Sequence, residues 1–106
     1  MEFIETAVFT KRVQELLDDE DYRDLQVMLV HSPRAGDPIL GTHGLRKVRW
    51  RSSKKSVGKR RGVRIIYYCI SHKKIYMIYV YEKSKQGDLS AQQLKMLGAY
   101  VKEGVL

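Results

Sequence analysis

One cysteine, two prolines and one tryptophan in 106 residues set the first limits on this chain. A lone cysteine cannot build a disulfide framework within the chain or the usual Cys-rich zinc site. A reducing compartment is the simplest setting for such a sequence. No apolar run approaches the roughly 18 residues that a membrane span needs. The first residues, MEFIETAVF, place acids at Glu2 and Glu5 where a signal peptide would be basic. The three histidines, His31, His43 and His72, are scattered and lack the close pairing of a zinc site. The glycine-rich GTHG lacks the spacing and the GK[ST] ending of a phosphate-binding loop. These absences leave a small cytoplasmic protein with no metal and no cofactor expected. The length suits one domain, 1–106, and 43% hydrophobic residues are enough for a packed core.

Acids are missing from one place in particular. Residues 46–64 contain ten Lys and Arg and no Asp or Glu. Residues 1–45 have four basic and nine acidic residues, and residues 65–106 have six and three. The formal net charge of +8 therefore hides an acidic first half and a mid-chain block that carries half of all the positive charge. Such a block repels itself unless something negative lies against it. It sits between two apolar segments, which sets it apart from a terminal basic tail.

Periodicity predicts an α+β domain in the order β-α-α-β-β-β-α, with a small antiparallel sheet packed against helices. Residues 2–9 read as a short strand, and Thr10 as the cap of a helix bearing Val13, Leu16 and Leu17. The acidic cluster Asp18 to Asp21 suits the start of a second helix, with Tyr22, Leu25, Val27, Met28 and Leu29 on its apolar face. Pro33 ends that helix. SPRAGDPILGTHG reads as a structured loop and LRKVRW as a strand, with Val48 and Trp50 on one side and Lys47 and Arg49 on the other. SSKKSVGKRRG reads as a mobile basic loop. VRIIYYCI and IYMIYVYE are strongly β-prone, with few polar residues on either face, which suits central strands. Ser90 or Asp88 caps a last helix with Leu94, Leu97 and Val101 as its stripe. Cys69 falls in an apolar strand, as a small buried hydrophobe does. Five of the seven tyrosines lie at 67–81. Most suit packing, and Tyr68 is the candidate for stacking on a base.

Arg64 is the only charge in VRIIYYCI. If its strand neighbours LRKVRW and IYMIYVYE, then Lys47, Arg49, Arg64 and Lys83 converge on one sheet face. The bland reading is a set of solvated edge charges. The functional reading is a phosphate site. Cations around one phosphodiester bind it and stabilise a negative phosphorane, and a lysine beside other cations moves towards acid–base use. RNA brings its own nucleophile, the 2′-OH, so Lys and Arg can cut it without metal or histidine when the substrate is held in line.

The segments PRAGDPILGTHGLRKVRW, GVRIIYY and YEKSKQGDLS together resemble the HigB branch of the RelE toxin superfamily, and the resemblance covers nearly the whole chain. It implies a RelE-like microbial RNase fold and a type II toxin: a ribosome-dependent, metal-independent endoribonuclease that cuts mRNA in the decoding site and inhibits translation. The implied partners are mRNA, ribosomal RNA and a HigA-like helix-turn-helix antitoxin encoded by the adjacent gene, with no membrane. By resemblance, Arg64 contacts the scissile phosphate. Lys47 and Arg49 match the paired basic residues of the preceding strand, and Lys83 matches a basic residue at the end of the last strand. Many relatives carry an acidic or other polar residue where this chain has Lys85. Some place a tyrosine near the start of the last helix, where this chain has Ser90. The general base is thereby left open between Lys47 and Lys83.

The basic segment, with Arg46, Arg51, Lys54, Lys55, Lys59, Arg60 and Arg61, and with Lys85 further on, supplies candidate contacts to RNA phosphates. Two other readings share these features: a noncatalytic ribosome- or RNA-binding module, and an inactive toxin homologue that keeps antitoxin binding. A DNA-binding regulator fits poorly, because the helix starting near Asp19 is acidic rather than base-reading.

Overall fold

The computed structural model describes residues 1–57, 62–83 and 89–104. Among these described residues eight elements follow in chain order: β1 (Glu2–Glu5), α1 (Ala7–Leu16), α2 (Asp19–His31), β2 (Asp37–Pro38), β3 (Leu45–Trp50), β4 (Val63–Ser71), β5 (Lys74–Tyr81) and α3 (Ala91–Glu103). The strands form one sheet in the order β1-β5-β4-β3-β2, so the two most apolar strands are central. The β2–β3–β4–β5 run is antiparallel, and β1 joins β5 in parallel. This is the α+β architecture that the periodicity predicts. It adds a two-residue strand inside the Pro- and Gly-rich loop.

Each helix start has a local cause. Thr6, not Thr10, caps α1. Its hydroxyl accepts from the Phe9 amide at 3.1 Å and donates to the Ile78 carbonyl at 2.8 Å, so the cap is tied to the sheet. The helix therefore takes over Ala7, Val8 and Phe9 from the expected strand, because a satisfied cap outweighs their local β preference. Asp18 caps α2 through the Asp21 amide, and Asp19, Glu20 and Asp21 fill the first turn, where the helix dipole favours acids. Ser90 and Gln93 form a reciprocal capping box at α3.

The sheet is covered on both faces. One face packs Ile65, Tyr67, Ile75, Met77 and Val80 against Phe9, Val13 and Leu17 and against Leu25 and Leu29 of α2. Val27, expected on the apolar face of α2, is half exposed instead. The other face packs Leu45, Ile66, Ile78 and Tyr81 against Leu94, Leu97 and Val101 of α3. A register shift between Ile66 and Tyr67 of β4 places Tyr79 and Met77 opposite them and leaves Ile78 as the extra residue. A bulge of this kind breaks the strict two-residue alternation. It lets both Ile78 and Tyr79 join the α3 side. Gly98 makes that docking possible. A Cβ there would lie 2.1 Å from the Thr42 carbonyl oxygen, so the helix rests directly on the backbone of the β2–β3 turn.

The start of the basic segment is not a mobile loop. The Ser52 hydroxyl donates to the Leu16 carbonyl at 2.6 Å. The Ser53 amide and hydroxyl donate to the two carboxylate oxygens of Asp21 at 2.6 and 2.7 Å. Burial pushes the Asp21 carboxyl up, but these bonds and hydrogen bonding with Asp18 outweigh it and hold its pKa below the ordinary carboxylate value. Val57 is buried in the first core. One apolar residue and two serines thus root a segment whose composition reads as solvated.

Candidate functional site

Antiparallel partners that lie directly opposite each other point to the same face of a sheet. The register therefore aligns two rows across the α3-side face. One row runs Asp37, Lys47, Ile66, Tyr79; the next runs Arg49, Arg64, Tyr81. Helix α3 packs over the tyrosine and leucine end of this face. At the other end, Lys47, Arg49, Arg64 and Lys83 line one cavity of about 450 Å³, together with Ala35 and Asp37. Arg64 is 8% exposed, while Lys83 and Arg49 are exposed. The cavity thus combines one nearly buried arginine with three more accessible cations.

Arg49 lies directly across from Arg64. Like charges in that position destabilise a sheet. A fold that retains such a pair, beside two more cations, presents a concave surface suited to an anion. A phosphodiester fits that description. Two planar guanidinium forks and two compact ammonium groups offer donors from several directions to non-bridging phosphate oxygens.

Other candidate residues are placed differently. The Arg46 guanidinium donates to the Gly36 carbonyl at 2.7 Å and to the Arg34 carbonyl at 3.2 Å, so it braces the loop that leads into β2. The Lys54 ammonium donates to the Gln14 carbonyl at 2.7 Å. Tyr68 packs into the second core, and a Cβ on Gly44 would touch its ring at 3.0 Å. It does not line the cation cavity. Arg51 and Lys55 are exposed. Lys59, Arg60, Arg61 and Lys85, and the alternative cap Asp88, lie outside the described residues.

Sequence reasoning missed Asp37, an exposed carboxylate on the cavity wall. Its position depends on Tyr67, which is fully buried in β4. The Tyr67 hydroxyl donates to the Pro33 carbonyl at 2.9 Å and accepts from the Gly36 amide at 2.9 Å. Burial raises the Tyr67 phenol above its ordinary pKa, although the Gly36 bond and Arg46 pull the other way. A Cβ on Gly36 would sit 2.9 Å from both the Lys47 carbonyl oxygen and the Tyr67 ring. Only glycine lets the loop close so tightly, and that closure delivers Asp37 opposite Lys47. The signal in the sequence was the pair of small and turn-forming residues in AGDP, which marked a loop but not its edge-strand pairing.

Among the described residues, no group of three or more His, Cys, Asp or Glu side chains could hold a metal ion. No helix among them is long and apolar enough to cross a membrane.

The fold matches a known one. The chain is similar to a solved structure of the Escherichia coli toxin RelE, a double arginine-to-alanine mutant in the free state. The TM-score is 0.58 and the sequence identity 18%, over 98% of this chain and 96% of that one. The likeness shows a shared α+β fold, with its antiparallel-dominated five-stranded sheet. No protein-family pattern matches the sequence.

Proposed function

We propose that the chain is a type II toxin of the RelE superfamily, in its HigB branch, and a ribosome-dependent endoribonuclease. The observation that carries this reading is the cavity where Arg49 and Arg64 face each other between Lys47 and Lys83. The full-length fold likeness to RelE and the quoted sequence segments support it.

In this reading the 2′-OH of one nucleotide attacks the adjacent phosphorus. The new 2′-O–P bond forms as the P–O5′ bond breaks. The products are a 2′,3′-cyclic phosphate and a 5′-OH, with one proton leaving the 2′-oxygen and one reaching the 5′-oxygen. Arg64 binds the non-bridging oxygens and stabilises the extra negative charge of the phosphorane. Arg49 and Lys47 hold the phosphate in line. Lys83, two residues beyond β5, supplies a proton to the leaving oxygen. No step draws on a metal or cofactor. Exposed cations at Arg51 and Lys55 contact ribosomal RNA, and the working compartment is the cytoplasm. A HigA-like antitoxin encoded beside the gene is the proposed neutralising partner.

Inducible expression with and without the neighbouring gene tests the reading. Growth arrest relieved by the neighbour, with cleavage confined to translated mRNA, supports it. Arg64→Ala is expected to abolish the arrest while the protein stays folded and still binds the antitoxin. Harmless expression of soluble wild-type protein, or full toxicity of Arg64→Ala, contradicts it. A gradual loss of ribosome binding in single-cation variants, with no RNA cleavage by the wild type, would instead mark a noncatalytic binding module.

A further inference from the structure

Transfer of a proton from the 2′-OH needs an acceptor. A guanidinium has none, and an ammonium has none while it holds its third proton. Four of the side chains around the cavity are of these two kinds, namely Lys47, Arg49, Arg64 and Lys83. Asp37 is the only carboxylate among the described lining residues. An ionised carboxylate is acceptor-only.

We infer that Asp37 is the general base of the cleavage reaction, a proposal that rests on the endoribonuclease reading above. The register places Asp37 on the same face as Lys47, one strand further out than Arg49 and across two strands from Arg64. Strand spacing and rise put the Asp37 and Arg64 backbones roughly 12 Å apart. Both side chains stand on that face and line the same cavity, the aspartate at the sheet edge and the arginine on a central strand. The cavity they share has room for a ribose 2′-oxygen on the Asp37 side and its adjacent phosphate on the Arg64 side. The edge position also keeps the carboxylate open to substrate, since Asp37 is exposed. In the reaction the Asp37 carboxylate accepts the 2′-OH proton as the 2′-O–P bond forms. It returns that proton to solvent after the 5′-oxygen has left.

The charge arrangement separates catalysis from binding. A negative group in an anion site opposes RNA association, so an aspartate that did nothing else would weaken the protein's own function. Removing its charge should help binding and harm chemistry. The charged groups sharing the cavity with Asp37 are Lys47 across the strand pair and Arg49, Arg64 and Lys83.

The test uses bacterial ribosomes programmed with a short mRNA, the full chain, and the variants Asp37→Asn and Asp37→Glu. Single-turnover cleavage and cosedimentation with the ribosomes are read in parallel. Asp37→Asn is expected to slow cleavage by about 100-fold or more, in the range removed with a general base. Its cosedimentation should be unchanged or stronger. Asp37→Glu should recover part of the rate. The wild-type rate should fall on the acidic side of its pH profile, and the Asp37→Asn rate should not. Cleavage by Asp37→Asn within about threefold of wild type overturns the assignment. So does a parallel loss of cleavage and binding, which would mark Asp37 as a structural residue. Wild-type protein that binds ribosomes and cuts nothing overturns the base and the endoribonuclease reading together. A wild type that cuts while Asp37→Asn cuts at a similar rate overturns the base alone.

Discussion

Replacing Tyr67 with Phe removes one oxygen atom and tests how the site is held. That hydroxyl donates to the Pro33 carbonyl and accepts from the Gly36 amide, each at 2.9 Å. Both bonds cross more than thirty residues of sequence and fix the loop that carries Asp37. Two such bonds contribute about 1 kcal/mol each, and the buried Gly36 amide left without a partner adds a desolvation cost of order 1 kcal/mol. The ring itself stays packed, so no cavity forms. The expected loss is about 2–3 kcal/mol, which for a domain of this size lowers Tm by roughly 10 °C or more. Urea unfolding checks the magnitude: the midpoint should fall with an unchanged slope. Alkaline conditions give a second signature. Burial raises the folded-state pKa of Tyr67 above the ordinary 10.0, so its stabilising contribution is complete below that pH and is lost as pH climbs through the folded value. Tyr22, raised by burial and by its bond to Glu5, behaves in the same direction. Tyr67→Phe should therefore lose stability less steeply above pH 10 than wild type. A stability change below about 0.5 kcal/mol would refute the claim that this hydroxyl anchors the loop.

Asp21→Ala should free the start of the basic segment, because its two carboxylate oxygens hold Ser53. The folded Asp21 pKa is lowered, so its contribution is present above the unfolded carboxylate range and is lost as pH falls through the folded value; acid unfolding followed by circular dichroism should show wild type, but not the variant, losing this contribution. Replacing exposed Arg51 and Lys55 together by Ala should weaken ribosome association across all mRNA sequences and flatten its salt dependence by up to about two ion-release units, measured by cosedimentation at several salt concentrations.

Local signals account for most of what the sequence made legible. The β-branched and aromatic runs in β4 and β5, the acids before α2, Pro33 after it and Ser90 before α3 each act on their immediate neighbours, so their elements follow from the chain alone. The cations of the cavity were legible for a related reason. Alternation puts Lys47 and Arg49 on one side of β3, and strand adjacency then brings Arg64 opposite. What stayed hidden depends on distant partners. Thr6 caps α1 because the Ile78 carbonyl is there to hold it. Ser52, Ser53 and Val57 look like loop residues until Leu16, Asp21 and the core meet them. Arg46 reads as an RNA contact, yet it spends its guanidinium on two carbonyls of its own loop. The two-residue strand β2 is too short to have a period, so Asp37 entered the site unannounced.

The chemistry of the cut ends tests the central claim most directly. Translated mRNA treated with the wild-type chain should carry 2′,3′-cyclic phosphate upstream of each cut and 5′-OH downstream, with neither end appearing when Arg64→Ala is used at equal ribosome occupancy. Ends bearing 3′-OH and 5′-phosphate would show attack by water rather than by the 2′-OH, and would contradict the account of four cations and one carboxylate acting on a single phosphodiester.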